Sequence, residues 1–286
     1  MGQVEGEGFQ PRAEHLVPVI LSLAITGILA IPFATNNVEV ITVTPFEGTS
    51  YSGASLNALF FIIALASSAT AMFVLVRRGK MGFLRKMIKA AVVVVCFSVV
   101  FWYSAVLFAI AGNPFGEPIA SVLLLSGSLA GGLGIGFLIF ARDKTLQLTG
   151  VVLVSGFTGL FLGASIPLLT ALILAAALVV YDVVAVFRGP VGALAKSLDE
   201  GDLPGAVFNY RELSIGMGDM IFYSLVAATA LLNYGIIAFL ATGIGILSGT
   251  FLGFKALRRF EMFPGLPFSL ILGVGAMLAV AWLLRL

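Results

Sequence analysis

The sequence predicts an all-α, polytopic membrane protein, and three observations support that fold class. Hydrophobic residues make up 60% of the 286 residues and charged residues only 10%, and the mean hydropathy is +1.11. A soluble domain carries about a quarter charged residues, so this composition excludes a water-soluble fold. The apolar residues also fall in runs of about 20, the length with which a helix crosses the hydrocarbon core of a bilayer.

Nine such runs, separated by polar residues or by Gly and Pro, predict nine transmembrane helices in a single membrane domain covering residues 1–286. The first run lacks the basic start of a cleaved signal peptide, so we expect it to be retained. The break between the fifth and sixth runs, at 163–165, is the least marked, but one joined helix of about 40 residues would be about 60 Å long. The helices are predicted at about 16–34, 56–76, 88–111, 119–141, 146–162, 166–187, 215–232, 236–257 and 268–284.

The positions of Lys and Arg predict how these helices are oriented, because basic residues concentrate in cytoplasmic loops. With nine crossings, only Arg285 of the 16 basic residues lies on the side away from the N-terminus. The N-terminus and the long loop 188–214 are therefore expected in the cytoplasm and the C-terminus outside it. The basic residues on the cytoplasmic side are Arg12, Arg77, Arg78, Lys80, Arg85, Lys86, Lys89, Arg142, Lys144, Arg188, Lys196, Arg211, Lys255, Arg258 and Arg259.

Composition excludes several classes of function. A net charge of +2 leaves no basic surface for nucleic acid. Cys96 and His15 are the only residues of their types, so an intramolecular disulfide, a metal site built from thiolates and Ser/His or Cys/His catalysis are excluded. We expect neither a metal nor a cofactor.

Two acidic residues remain inside predicted helices: Asp182 in the sixth and Asp219 in the seventh. A carboxylate in hydrocarbon costs about 2.5 to 3.5 kcal/mol on insertion scales, so each must face protein or water. Counted from the neighbouring Arg188 and Arg211, both acids lie near the cytoplasmic ends of their helices. Antiparallel neighbouring helices would place the two carboxyls at similar depth.

Two adjacent carboxyls suppress each other's ionisation and tend to share one proton, so one can act as a general base while the other acts as a general acid. This is the chemistry of an aspartic protease. Buried acids also serve as ion sites in proton- or cation-coupled transporters, which remains the alternative function. Such transporters often show an internal repeat in their hydropathy, and no convincing repeat relates the two halves of this chain.

The residues that flank the acids favour a built site. Tyr181 precedes Asp182, and a tyrosine hydroxyl can orient a neighbouring polar group. Two glycines at the start of the seventh helix allow close approach and an irregular backbone. A third motif with two prolines lies at the entrance to the ninth helix, where we expect an extended segment that can align a peptide. The other flanking residues in these motifs are Gly216, Met217, Gly218, Pro264, Gly265, Leu266 and Pro267.

These three motifs resemble the YD, GxGD and PAL motifs of presenilins and signal peptide peptidases, the intramembrane aspartyl proteases. The longer runs YDVVAVF, GMGDMIFYSLV and PGLPFSL resemble the presenilin branch, and the resemblance covers roughly residues 168–272. It implies that Asp182 and Asp219 are catalytic, and that the other motif residues shape the active site and help to receive substrate. Gly265 stands where the family usually has Ala, and we expect activity to be retained because one small residue replaces another.

The resemblance implies an endopeptidase that cleaves single-pass transmembrane substrates delivered through the lipid, with no nucleic-acid partner. A prepilin-type peptidase, another GxGD membrane protease, does not account for the Pro264 motif. Signal peptide peptidases resemble presenilins turned over in the membrane, and the distribution of basic residues favours the presenilin orientation. The oligomeric state is not predicted.

The loop before Asp219 contains a short β-prone stretch, Ala206-Val207-Phe208-Asn209-Tyr210. Hydrolysis needs an exposed carbonyl, which an intact helix hides, so we hypothesise that this stretch supplies an edge strand for an unwound substrate. Proline at Val207 or Phe208 should then impair cleavage without preventing folding.

Overall fold

The computed structural model describes residues 10–36, 38, 40–114, 116, 118–188, 207–211, 213–258 and 263–285. Residues 189–206 and 212 of the predicted cytoplasmic loop, including Ala206 of the hypothesised strand, lie outside these ranges. Within them, eight helices are long and apolar enough to span a membrane, and a 3-10 turn (Ala13–Leu16) precedes the first. These helices are α1 (Val17–Asn36), α2 (Tyr51–Arg77), α3 (Met81–Ile110), α4 (Ile119–Ile139), α5 (Lys144–Ser165), α6 (Leu168–Phe187), α7 (Met217–Ala256) and α8 (Leu266–Leu284).

The first six helices agree with the sequence prediction in position, and the largest differences are at the start of α2, which begins at Tyr51 rather than near 56, at the start of α3 and at the break between α5 and α6. Helix α3 begins at Met81 rather than near residue 88, because the basic residues before the apolar run are good helix formers. The break between α5 and α6 falls at Ile166, which has extended backbone angles, rather than at 163–165. Pro167 follows and disfavours helical angles at the residue before it.

The predicted seventh and eighth helices form one element, α7, which is 40 residues long. It is not one straight rod, because a break at Gly235 divides it into the stretches 217–234 and 236–256, each close to the length of one membrane crossing at 1.5 Å per residue. Gly235 interrupts α7 with φ 80° and ψ −172°, a region of backbone space that is essentially restricted to glycine. The loop expected near residue 235 is thus reduced to a single residue with non-helical angles.

A β-hairpin leads directly into α7. Strand β1 (Val207–Tyr210) pairs antiparallel with β2 (Leu213–Gly216) across a two-residue turn, in which Arg211 has φ 55°. Positive φ at this position is typical of two-residue hairpin turns. The structure confirms the β-prone stretch as a strand from Val207 onward. The helix that follows begins at Met217, two residues after the predicted start at about 215, because β2 continues to Gly216.

Helix packing determines where the two acidic helices lie. Helix α7 contacts α8, α5 and α1 extensively, while α6 contacts α8 more than it contacts α7. The largest apolar cluster joins α6, α7 and α8 through buried side chains that include Leu178, Leu225 and Leu270. The helices that carry Asp182 and Asp219 are therefore connected mainly through α8.

The outer surface of the helices is apolar. Val180 and Val184 on α6, and Ile236 and Ile237 on α7, are each more than half exposed. Apolar side chains of this kind on the outside of long apolar helices match a lipid environment. The chain is a multi-pass integral membrane protein.

Candidate active site

Asp182 lies in the last two turns of α6 and contacts the beginning of α8. Its Oδ2 accepts a hydrogen bond of 2.9 Å from the backbone N–H of Leu266, the first residue of α8. The first N–H groups of a helix have no partner within the helix, and the helix dipole favours negative charge at that end. The half-buried carboxyl of Asp182 therefore occupies a position that suits an anion.

Asp219 is the third residue of α7 and is also half-buried. Its carboxyl lies directly against Gly265, because a methyl group added there would be 2.7 Å from Asp219 Oδ2. It also lies close to Gly216, where an added methyl group would be 3.2 Å from the same oxygen. Glycine at both positions thus makes room for this carboxyl group.

One peptide group is hydrogen-bonded to both of the helices that carry the acids. The N–H of Leu266 donates to Asp182, and the carbonyl oxygen of Gly265, which belongs to the same peptide group, accepts a hydrogen bond of 2.9 Å from the Tyr223 hydroxyl. Tyr223 is on α7, one helical turn after Asp219, and only 2% of its surface is exposed. This group, which we call the bridging peptide, connects the two helices that carry the acids.

Two further hydroxyl groups lie behind the bridging peptide. Ser269 donates to the Gly265 carbonyl over 3.2 Å, and its hydroxyl pairs with that of Thr250 at 3.0 Å. The Thr250 hydroxyl also lies 2.8 Å from the carbonyl oxygen of Ile246, and its single proton is donated either to that carbonyl or to Ser269. Ser269 and Thr250 are both buried, so a polar network in the apolar interior holds the start of α8 against α7.

The structure brings Asp182, Asp219, Gly216, Gly265 and Leu266 together. For the remaining predicted site residues, all of which lie within the described ranges, the structure gives no contact with either carboxyl group; these are Tyr181, Met217, Gly218 and Pro264. Tyr181 is half-buried, and its hydroxyl bonds neither carboxyl within the described part of the chain. Met217 packs into apolar clusters, Pro264 is buried, and a methyl group at Gly218 would meet no atom within 4 Å.

The extended segment expected at 263–267 is wrong from Gly265 onward. Gly265 has φ −79° and ψ −34°, and α8 begins at Leu266 with Pro267 in its first turn. Proline is tolerated there because the N–H that it lacks would have no helical partner. The start of α8 therefore presents helix N-terminal N–H groups to the site, rather than a free strand.

Sequence reasoning missed Tyr223, Ser269 and Thr250. Spacing carries a signal for the first two, because Tyr223 is four residues after Asp219 and Ser269 is four residues after Gly265. Residues four apart share a helix face, so each hydroxyl points toward the side of its helix that carries the motif residue. No comparable sequence spacing identifies Thr250.

The chain is similar to known proteins in sequence over part of its length and in fold over nearly all of it. No family model matches it. Presenilin-B of Dictyostelium discoideum is 34% identical over 119 residues, a match that covers 38% of this chain and 25% of that protein. The chain thus matches about a quarter of the length of this curated relative.

Two solved structures of a presenilin family intramembrane aspartate protease, in the C222 and P2 space groups, are similar in fold. They superpose with a TM-score of 0.64 each, at 21% and 20% identity. The matches cover 94% and 97% of this chain and 98% and 100% of those chains. The presenilin-like fold expected from the motifs is confirmed over nearly the whole chain.

Proposed function

We propose that the chain is an intramembrane aspartyl endopeptidase that hydrolyses peptide bonds in the transmembrane helices of membrane proteins, with Asp182 and Asp219 as the catalytic acids. The observation that carries the proposal is that both carboxyls meet at the start of α8, one bonded to the Leu266 N–H and the other directly against Gly265. The similar solved structures are of an intramembrane aspartate protease, which supports the same activity here.

The proposed reaction needs only the two acids and water. The ionised carboxyl takes a proton from water while the water oxygen bonds to the scissile carbonyl carbon. The protonated carboxyl donates to the carbonyl oxygen and then, as the C–N bond breaks, a proton passes to the leaving nitrogen. The products are one carboxyl end and one amino end. The protons belong to the pair rather than to either acid alone.

A cleavage assay on a reconstituted transmembrane substrate tests the proposal. We expect Asp182→Asn and Asp219→Ala each to abolish cleavage, since a pair of acids cannot exchange protons when one is missing. Asp143→Asn is the matched control, because Asp143 caps α5 through its side chain and Asn caps helices equally well. Wild-type cleavage by either active-site variant would refute the mechanism. Gradient-dependent ion uptake without proteolysis would instead support a transporter.

Substrate is proposed to add as a strand to the hairpin. Facing residues of an antiparallel pair alternate between hydrogen-bonded and non-bonded positions, and the pair beside the turn, Tyr210 and Leu213, is bonded. Val207 and Asn209 are therefore in non-bonded pairs, and their backbone N–H and C=O groups point away from β2. Ser214 and Asn209 hydrogen-bond through their side chains over 2.7 Å, as facing residues of a non-bonded pair can. Val207 and Asn209 therefore offer an edge to an unwound peptide.

Phe208 does not suit the proline test, because it is only 1% exposed and packs in the core beneath the hairpin. Val207→Pro removes one outward N–H from an exposed residue. We expect cleavage to fall with Val207→Pro and to persist with Val207→Ala, which keeps the N–H. Equal turnover of the two variants would count against strand addition.

The proposed topology has nine crossings in one membrane domain, with each part of α7 on either side of Gly235 crossing once. The length of α7 and its break at Gly235 support this count. The N-terminus and loop 188–214 are then cytoplasmic and the C-terminus is outside, as the basic residues predict. Single-pass membrane proteins that reach the site through the lipid are the proposed substrates.

A further inference from the structure

The bridging peptide is held at both ends by groups on different helices. Its N–H donates to Asp182 on α6, and its carbonyl accepts from Tyr223 on α7. These two bonds join residues that are 84 and 42 positions apart in the chain. The position of the Asp182 carboxyl relative to α7 therefore depends on this backbone group and on the Tyr223 hydroxyl that holds it.

We propose that Tyr223 is a positioning residue for hydrolysis, whose hydroxyl fixes the bridging peptide and thereby orients the Asp182 carboxyl toward Asp219. The proposal rests on the proposed function. Tyr223 has no place in the reaction steps given above, and its role is to hold the peptide whose N–H binds one of the reacting acids.

The geometry favours the hydroxyl, rather than the bulk of the ring, as the feature that matters at Tyr223. A buried hydroxyl without a partner is costly, and here it has a well-formed bond of 2.9 Å to a single carbonyl. The competing donor to that carbonyl, Ser269, is more distant at 3.2 Å and bonds back along its own helix. Of these two donors, only Tyr223 ties the carbonyl to α7 directly, since Ser269 reaches α7 through Thr250.

The two hydrogen bonds of the bridging peptide should reinforce each other. When a peptide carbonyl accepts a bond, the group is polarised and its N–H becomes a better donor. Removing the Tyr223 hydroxyl therefore weakens the bond to Asp182 as well as the link between α7 and α8. The effect should appear in the chemical step and in the pH dependence of the reaction, rather than in substrate binding.

The first experiment compares wild type, Tyr223→Phe and Tyr234→Phe in the cleavage assay across pH. We expect Tyr223→Phe to lower kcat roughly three- to tenfold, as loss of one hydrogen bond does, with KM unchanged. We also expect its pH–rate profile to be displaced. Tyr234→Phe removes a hydroxyl from the same helix next to Gly235 and should match wild type. Melting temperatures show whether each variant is folded.

Ser269→Ala provides a second variant that does not depend on Tyr223. It leaves the Tyr223 bond in place, so the loss in kcat should be smaller than with Tyr223→Phe. The double variant leaves the buried carbonyl without either donor, and its loss in kcat should exceed the product of the single losses. Independent, multiplicative effects would show that the two hydroxyls do not act through the same peptide group.

Hydrogen–deuterium exchange gives a readout that needs no turnover. We expect the segment around residue 266 to exchange faster in Tyr223→Phe and in Asp182→Ala than in wild type, and at the wild-type rate in Tyr234→Phe. Absence of cleavage by wild type would refute the proposed function, while exchange would still decide the role of Tyr223. Wild-type kcat and pH profile in Tyr223→Phe, or unchanged exchange, would overturn the inference.

Discussion

Replacing Gly265 by Ala, the residue usual in the family that this motif resembles, tests whether the Asp219 carboxyl of this chain is placed to suit glycine, so that the two small residues are not interchangeable here. The new methyl group would lie 2.7 Å from Asp219 Oδ2, 3.3 Å from its Cγ and 3.7 Å from the Tyr223 hydroxyl oxygen. The first distance is shorter than van der Waals contact, so the carboxyl group has to move. Gly265 already has helical angles of φ −79° and ψ −34°, which Ala adopts without strain.

The size of the effect follows from the displacement. Restoring an ordinary contact of about 3.4 Å requires the carboxyl to retreat by roughly 0.5 to 0.7 Å. Because a misplacement of about 1 Å can cost roughly 100-fold in rate, we expect kcat to fall about tenfold. Stability should not fall in parallel, since Ala at a compatible position reduces the entropy of the unfolded chain by the equivalent of about 0.4 to 1 kcal/mol.

The assay measures kcat for cleavage of a reconstituted substrate together with the melting temperature. Gly275→Ala is the matched control, because it makes the same change in α8 at a site with no atom within 4 Å of the added methyl group. We expect wild-type kcat for Gly275→Ala and a reduced kcat with an unchanged or higher melting temperature for Gly265→Ala. Equal kcat in both variants would refute the close placement of Asp219 against Gly265.

Two further predictions concern stability. Gly159→Ala should lower the melting temperature, because its methyl group would overlap Ser224 on α7 and overpacking costs about 1 to 3 kcal/mol. Gly134→Ala is the control, and it should leave the melting temperature unchanged because the space around that position is open. Asn57→Ala should destabilise the protein by about 1 to 3 kcal/mol, because the buried amide bonds both the N–H and the carbonyl of Phe46. A decrease of this size in the free energy of unfolding, measured by thermal unfolding, would confirm the prediction.

Hydropathy made the helices and the two acids predictable. A run of about 20 apolar residues has few alternatives to a membrane helix, and a charged group within one is too costly to be incidental. Asp182 and Asp219 could therefore be selected from hydropathy and charge, and both lie beside Gly265 in the folded chain. The transmembrane runs alone did not fix the element boundaries, as the strand ending at Gly216 shows.

The hydrogen-bond network could not be predicted because it depends on how separate helices pack. The partners of the bridging peptide are Asp182 and Tyr223, and nothing in their local sequence indicates that both reach one peptide group. The extended form expected at 263–267 was wrong for a related reason. Two prolines suit an extended segment and a helix start equally well, and only the contacts of Leu266 favour the helix.

The spacing of the two acids depends on three helices rather than on two motifs. Helix α6 contacts α8 more than α7, and α7 contacts α8 extensively, so α8 is the common support for both. Close approach of α7 and α8 relies on Gly245 and Gly249, where added methyl groups would overlap the backbone of Leu272 and Phe268. This packing fixes where α8 begins and therefore where the bridging peptide lies. The proline motif, which carries no acid, thus helps to determine the geometry of a site whose acids lie on other helices.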